Sequence, residues 1–281
     1  MSATAIEIRP LSGSLGAEIH GIDLARPLDA DTFECVERAF LDHLVLFFRD
    51  QELTPAQQVA FAARFGPVGR YPLAEPIPEH PDIIAVVKEP GQTTNFGGVW
   101  HSDTAYLERP SLGSLLYAKE VPARGGDTLF ANMYLAYESL SPGLRRLLDG
   151  LRAVNSAGKD KATLRGDHLA GGAMTATAVD ARGLRAEHPV VRRHPVTGRK
   201  ALYVNRTHTV AFKDMTEAES AGLLGYLFAQ AAREDITCRF RWRAGSLALW
   251  DNRCTQHYPL NDYPGQRWVM HRATIEGDRP A

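Results

Sequence analysis

Residues 97–110 read GGVWHSDTAYLERP, placing His101 and Asp103 two positions apart between a glycine pair and an aromatic residue. On a strand, side chains at i and i+2 project from one face, so an imidazole and a carboxylate at this spacing can reach one ion. The pair lies within a long β-rich stretch. From Asp82 onward the runs DIIAVV, SLGSLLYA, DTLFANM, ALYVNRT, CRFRW, SLALWD and RWVMHRATI are short, rich in β-branched and aromatic residues, and separated by turn formers. Many short strands with few helices between them predict a mainly β, α+β fold. The expected core is a jelly-roll-like double sheet with peripheral helices.

Outward from that core, IEIRPL and GAEIHGIDL read as strands, and LVLFF (44–48) as a buried strand. Asp31 or Thr32 is expected to cap a helix with Phe33, Val36 and Phe40 on its apolar face. Thr54 and Pro55 open a second helix, closed by Gly66. Ser141 and Pro142 start a helical insertion, GLRRLLDGLRAV. Thr216 and Glu219 form a capping box for another, which carries Leu223, Leu224, Leu227, Phe228 and Ala231. Residues 158–188 are the least periodic part of the chain and are expected to cover the site as a lid. With no repeat or low-complexity linker, residues 1–281 are expected to form a single domain.

The 281 residues are 44% hydrophobic, enough for a sizeable core. The 32 basic and 33 acidic residues leave a net charge of −1, which gives no reason to expect a nucleic-acid or membrane-surface partner. Cys35, Cys238 and Cys254 show no C-x-x-C spacing, which disfavours a disulfide framework or zinc ribbon. The opening MSATAIEIRPLSG lacks an apolar signal region, and no apolar run approaches the ~20 residues of a membrane span. These features predict a cytoplasmic protein.

Two histidines and one carboxylate on one face of an octahedron form the non-haem Fe(II) pattern, with three positions left for a co-substrate and O2. The missing ligand must then be a distant histidine. His257 is the strongest candidate, because it follows the buried strand 247–250 and sits among turn-forming and polar residues. His194, before a Pro and a Thr-Gly turn, reads as hairpin surface. His20, His43, His80, His168 and His188 have no comparable setting. An isolated His-x-Asp pair also arises by chance at strand edges. A zinc hydrolase could use the same donors, although no convincing general base accompanies them. A non-catalytic jelly-roll protein that binds a metal or an organic acid is the alternative from another class.

The run WHSDTAYLERPSLGSLLYAKEVPARGGDTLFANMYLAYESLS, then HPVTGRKALYVN, LWDNRCTQHY and MHRATIEGD, resembles the taurine dioxygenase / 2,4-dichlorophenoxyacetate dioxygenase family. The openings PLSGSLGAEIHGIDL and LFFRDQELTPAQQVAFAARFGPVG are similar to that family too, so the likeness spans nearly the whole chain. It implies a double-stranded β-helix and an enzyme dependent on Fe(II), 2-oxoglutarate and O2. Such an enzyme hydroxylates an unactivated C–H bond of a small organic substrate, expected here to be anionic, and releases succinate and CO2. It also implies that His101, Asp103 and His257 are the iron ligands. A carboxylate at 103 argues for hydroxylation, since related halogenases carry Gly or Ala there. The family forms dimers or tetramers, which makes a homo-oligomer compatible with the resemblance.

For the co-substrate, the resemblance implies Thr128 of the GGDT segment and Arg272, whose planar fork suits a carboxylate. The family commonly carries a second arginine four residues earlier. Trp268 stands there, and Arg267 is one residue out of register, expected as a surface charge. In taurine dioxygenase the position of Arg272 is associated with substrate sulfonate, so both roles stay open. Tyr71 and Gly97 replace a histidine and an asparagine of the taurine site, which weakens the case for taurine. Tyr71, Arg206, His208 and Trp268 are the candidate substrate contacts.

Overall fold

β-Branched and aromatic runs form the strands, and capped amphipathic segments the helices, in the computed structural model, which describes residues 6–158 and 174–281. The N-terminal third contains β1 (Glu7–Pro10), β2 (Ala17–His20), α1 (Ala30–His43), β3 (Val45–Phe48), α2 (Pro55–Ala62) and the short β4 (Val68–Gly69). Asp29 caps α1, in place of the expected Asp31 or Thr32. Its carboxylate accepts the Thr32 amide at 2.7 Å from an extended backbone, and the residues that follow are already helical. The Thr54–Gln57 capping box and Pro55 at the first position open α2, which ends at Ala62, short of Gly66.

The middle of the chain contains β5 (Ile83–Lys88), β6 (Gly113–Glu120), β7 (Thr128–Asn132), α3 (Met133–Glu138), α4 (Pro142–Leu148) and β8 (Arg152–Ser156). Ser141 caps α4 as expected, but the helix stops at Leu148 and the RAV of the expected helix belongs to β8. Gly150 interrupts the helical run, and pairing of Val154 with its strand neighbours outweighs its weak helix propensity. Beyond come β9 (Arg185–Pro189), β10 (Val191–Arg193), β11 (Lys200–Leu202), β12 (Thr209–Phe212), α5 (Glu217–Gln230), β13 (Thr237–Phe240), β14 (Leu247–Asp251), β15 (Thr255–Pro259) and β16 (Trp268–Ile275).

The large sheet runs β1-β2-β3-β14-β6-β16-β4, with β5 also paired to β16. A smaller sheet runs β13-β7-β15. β3 is buried on both faces, which explains its unbroken apolarity. On one face Phe47 stacks on Phe240 of β13 at 3.9 Å and meets Phe130 of β7 edge-on at 5.6 Å, so the smaller sheet packs against the larger one. On the other face Leu46 and Phe48 join Val36, Phe40 and Phe61 of α1 and α2. The site lies between the two sheets.

The expected cover, residues 158–188, is corrected at its C-terminal end, and residues 159–173 lie outside the described residues. Arg185–Pro189 is strand β9, laddered antiparallel to β8. Ala176 bridges Ala74, and the Thr177 hydroxyl donates to the Pro72 carbonyl at 2.6 Å. His188, expected to have no particular setting, is buried on β9 with Nε2 2.9 Å from the Leu107 carbonyl, which ties β9 to the turn that follows Asp103. Burial pushes its pKa down to about 4, against a smaller upward pull from that carbonyl.

Phe47→Ala removes the ring that joins the two sheets and is expected to cost about 3–5 kcal/mol, read from the denaturant midpoint. His188 generates a pH dependence. Its folded-state pKa lies below the unfolded value, so the unfolded chain takes up the proton first and stability falls as pH drops from about 6.5 towards about 4. Between pH 7 and pH 5 this group alone removes roughly 2 kcal/mol. Urea unfolding of His188→Gln at the two pH values should show a fall smaller by that amount. An identical fall in both proteins would contradict the assignment.

Candidate metal centre

His101 and His257 are brought together by the backbone. They form an isolated antiparallel bridge, with His101 N–H donating to the His257 carbonyl at 3.1 Å and His257 N–H returning the bond at 2.9 Å. His257 reaches this place because β15 pairs with β7, opposite Phe130. Asp103 departs from the strand expected for it. It sits in a turn after the bridge, with Thr104 at a left-handed φ of 51° and the Asp103 amide donating to Asn252 Oδ1 at 3.1 Å. The turn still delivers the carboxylate to the imidazoles. Asp103 Oδ1 lies 3.7 Å from His101 Nε2 and 3.9 Å from His257 Nε2.

All three side chains are buried. Two metal–ligand bonds of about 2.1 Å span at most about 4.2 Å, so these separations fit donors shared by one ion. Two imidazole nitrogens and one carboxylate oxygen suit a first-row divalent metal. The surroundings prepare the donors. His101 Nδ1–H donates to the Val99 carbonyl at 2.7 Å, which leaves Nε2 as the ring nitrogen that could ligate an ion. The second carboxylate oxygen, Oδ2, accepts from Ser114 Oγ at 2.9 Å and Trp250 Nε1 at 3.2 Å, and pairs with Arg272 Nη2 at 3.0 Å. One oxygen is thus taken by donors while the other faces the histidines. Gly97, at a φ of 75°, makes room for the His101 ring: a Cβ there would lie 2.8 Å from Cε1.

A cavity between the sheets is lined by both histidines, by Thr128 and Phe130 of β7, by Trp242, and by Trp268 and Arg272 of β16. The Thr128 hydroxyl accepts from Trp242 Nε1 at 2.9 Å. Arg272 is 4% exposed and stands at the Asp103 end of the cavity. Besides Asp103 it donates to Ser114 at 3.0 Å, and its guanidinium lies 5.2 Å over the Tyr71 ring. Trp268 is buried along the same strand. Arg267 is a surface charge as expected, paired with Glu89 and Glu120.

Of the candidate substrate contacts, Tyr71 is buried beside Phe96, and His208 is buried with its ring 4.9 Å from that of Tyr106 and 6.3 Å from that of His101. Arg206 is exposed, and the cavity lining does not include it. Sequence reasoning missed Ser114, Trp242 and Trp250 as groups around the site. The one available signal was a serine within the otherwise apolar run of β6.

His194 is corrected from hairpin surface to core. It is 1% exposed, and Nε2 donates to Asp251 Oδ2 at 3.0 Å while Nδ1 accepts the Thr197 amide at 3.1 Å. With Cys254 these residues form a second group of close metal-ligand types, but their donors are already committed. Arg253 binds both Asp251 oxygens at 2.8 and 2.6 Å. Burial alone would raise the Asp251 pKa, yet the charge and hydrogen bonds of Arg253, then His194, hold it well below the usual range. Burial pushes the Cys254 thiol well up, so it stays protonated. This is an internal ion-pair network.

Comparison with known proteins agrees with this geometry. Residues 7–274 match the family model described as taurine catabolism dioxygenase TauD, TfdA family. A Pseudomonas putida protein named alpha-ketoglutarate-dependent sulfate ester dioxygenase is 36% identical over 288 residues, covering 99% of this chain and 92% of its own length. The crystal structure of a taurine dioxygenase from Burkholderia xenovorans is similar with a TM-score of 0.82 at 36% identity, covering 98% of this chain and 92% of that one. That of AAD-2 in complex with Mn(II) and N-oxalylglycine has a TM-score of 0.77 at 30% identity, covering 98% and 99%.

Proposed function

The chain belongs to the TauD/TfdA family of dioxygenases dependent on 2-oxoglutarate (alpha-ketoglutarate), and from that premise we propose that His101, Asp103 and His257 hold its Fe(II). The observation that carries this reading is the division of the Asp103 carboxylate. Oδ1 faces both Nε2 atoms at 3.7 and 3.9 Å, while Oδ2 is held by Ser114, Trp250 and Arg272. When bound, Fe(II) and 2-oxoglutarate activate O2, one oxygen atom ending in succinate as CO2 leaves and the other in the hydroxyl of the product.

The residues of the chain position the reactants. His101 is fixed by the Val99 carbonyl, and the Asp103 carboxylate by its three donors, so the ligand set is organised before the ion arrives. Thr128 offers a hydroxyl to the co-substrate. Of the two roles open to Arg272, its place against Asp103 supports binding an anionic group close to the metal. Tyr71 and Phe96 give that end an aromatic wall that excludes water. The substrate in this reading is a small organic anion with an unactivated C–H bond to hydroxylate. The sulfate ester named for the Pseudomonas putida relative belongs to that class. A double-stranded β-helix in a single domain, working in the cytoplasm, completes the proposal. Among the described residues, no helix is long and apolar enough to cross a membrane.

Succinate release with Fe(II), ascorbate and 2-oxoglutarate across a panel of organic sulfates, sulfonates and carboxylates tests the reading. Asp103→Ala and His257→Ala should each lower it by more than ~100-fold, beyond the effect typical of outer-shell changes. Unchanged turnover in either variant, or hydrolysis restored by zinc and not by iron, would overturn it.

A further inference from the structure

We propose that the Lys88 ammonium, together with the Thr128 hydroxyl, binds the distal carboxylate of 2-oxoglutarate. The inference rests on the co-substrate reading above and adds a residue to it.

The strand register puts Lys88 in the right row. On β5 and β16, Ile84 pairs with Arg272, Val86 with Met270 and Lys88 with Trp268. Side chains alternate with period two, so these six share one face of the sheet. That face is the cavity face, since Val86, Trp268 and Arg272 line the cavity. Arg272 marks the metal end of the row by its contact with Asp103. Lys88 lies four residues away along the strand direction, about 13 Å between backbone positions. The five-carbon chain of 2-oxoglutarate spans about 5 Å from carboxyl to carboxyl carbon. Its distal end therefore falls between the two cations when its 2-oxo-acid end meets the metal, within the compass of a lysine side chain reaching in from the far end.

A second contact ties Lys88 to Thr128. Its Nζ lies 3.9 Å from the centre of the Tyr263 ring, and that ring packs 3.4 Å from where a Cβ on Gly126 would stand, two residues before Thr128. The ammonium is also short of a partner. Lys88 is 2% exposed, and among the described residues no carboxylate or hydrogen-bond acceptor pairs with it. The Tyr263 ring offsets only part of the cost of burying such a charge, and burial lowers its pKa. Trp268 Nε1, in the same row, is likewise buried without an acceptor among the described residues. A cation in the row that continues from the cavity, and a neutral donor without an acceptor in a cavity that Thr128 also lines, are the groups a distal carboxylate needs.

Calorimetric titration of the Mn(II)-loaded protein with 2-oxoglutarate and with 2-oxopentanoate, which carries a methyl in place of the distal carboxylate, separates this role from a structural one. Lys88→Met should weaken 2-oxoglutarate binding by about tenfold or more and leave 2-oxopentanoate and Mn(II) affinity unchanged. Lys88→Arg should recover part of the 2-oxoglutarate affinity. Equal 2-oxoglutarate affinity in wild type and Lys88→Met overturns the assignment, and so does an equal loss for both acids. A wild-type protein that binds neither acid overturns the co-substrate reading itself. If Lys88→Met does not fold, Lys88→Arg decides: it must still bind 2-oxoglutarate more tightly than 2-oxopentanoate, and loss of that preference sinks the proposal.

Discussion

The buried carboxylate of Asp103 is the constraint around which the structure is arranged. An ionised carboxylate removed from water is tolerated only with donors or cations around it. Ser114, Trp250 and Arg272 meet that need on one oxygen, from three adjacent strands of the large sheet. Because β14, β6 and β16 lie side by side, holding one oxygen from the sheet turns the other away from it, towards the imidazoles of His101 and His257. The second sheet contributes His257 through the β7–β15 ladder, and the reciprocal His101–His257 backbone bonds close the arrangement. Under the proposed assignment the metal joins the two sheets at the same point.

Under the proposed assignments strand β16 divides the cavity by function. Its inward row carries Arg272 near the carboxylate, then Met270 and Trp268, and neighbouring β5 adds Lys88 at the far end. A guanidinium already paired with the Asp103 carboxylate is held at that end of the cavity and cannot also serve a group several ångströms away. The proposed division of labour between two cations follows from the register, because a slip of one residue would turn the whole row to the opposite face.

Much of this was legible in the sequence. Alternation and turn residues identified ten of the sixteen described strands, and the helix openings Thr54–Pro55, Ser141–Pro142 and Thr216–Glu219 stand where local chemistry put them. Resemblance joined His257 to a pair 154 positions earlier, which no local pattern could do. The misreadings arose where tertiary context overrides local signals. His194 follows the pattern of a hairpin surface, but Asp251 and Arg253 draw it into the core. Asp103 has the spacing of a strand residue, yet Asn252 and the left-handed Thr104 turn the chain there. The helix read through Val154 ended early because β9 and β12 offered β8 two ladders. Lys88 carried no signal, since an exposed lysine at the end of a strand looks the same in sequence as a buried one.

The account is tested most directly by iron-edge X-ray absorption combined with anomalous diffraction on the anaerobic Fe(II)-loaded protein. It predicts one iron within about 2.0–2.2 Å of Nε2 of both His101 and His257 and of a single Asp103 oxygen. Iron bound without His257, or held at the His194–Asp251–Cys254 network, would contradict it.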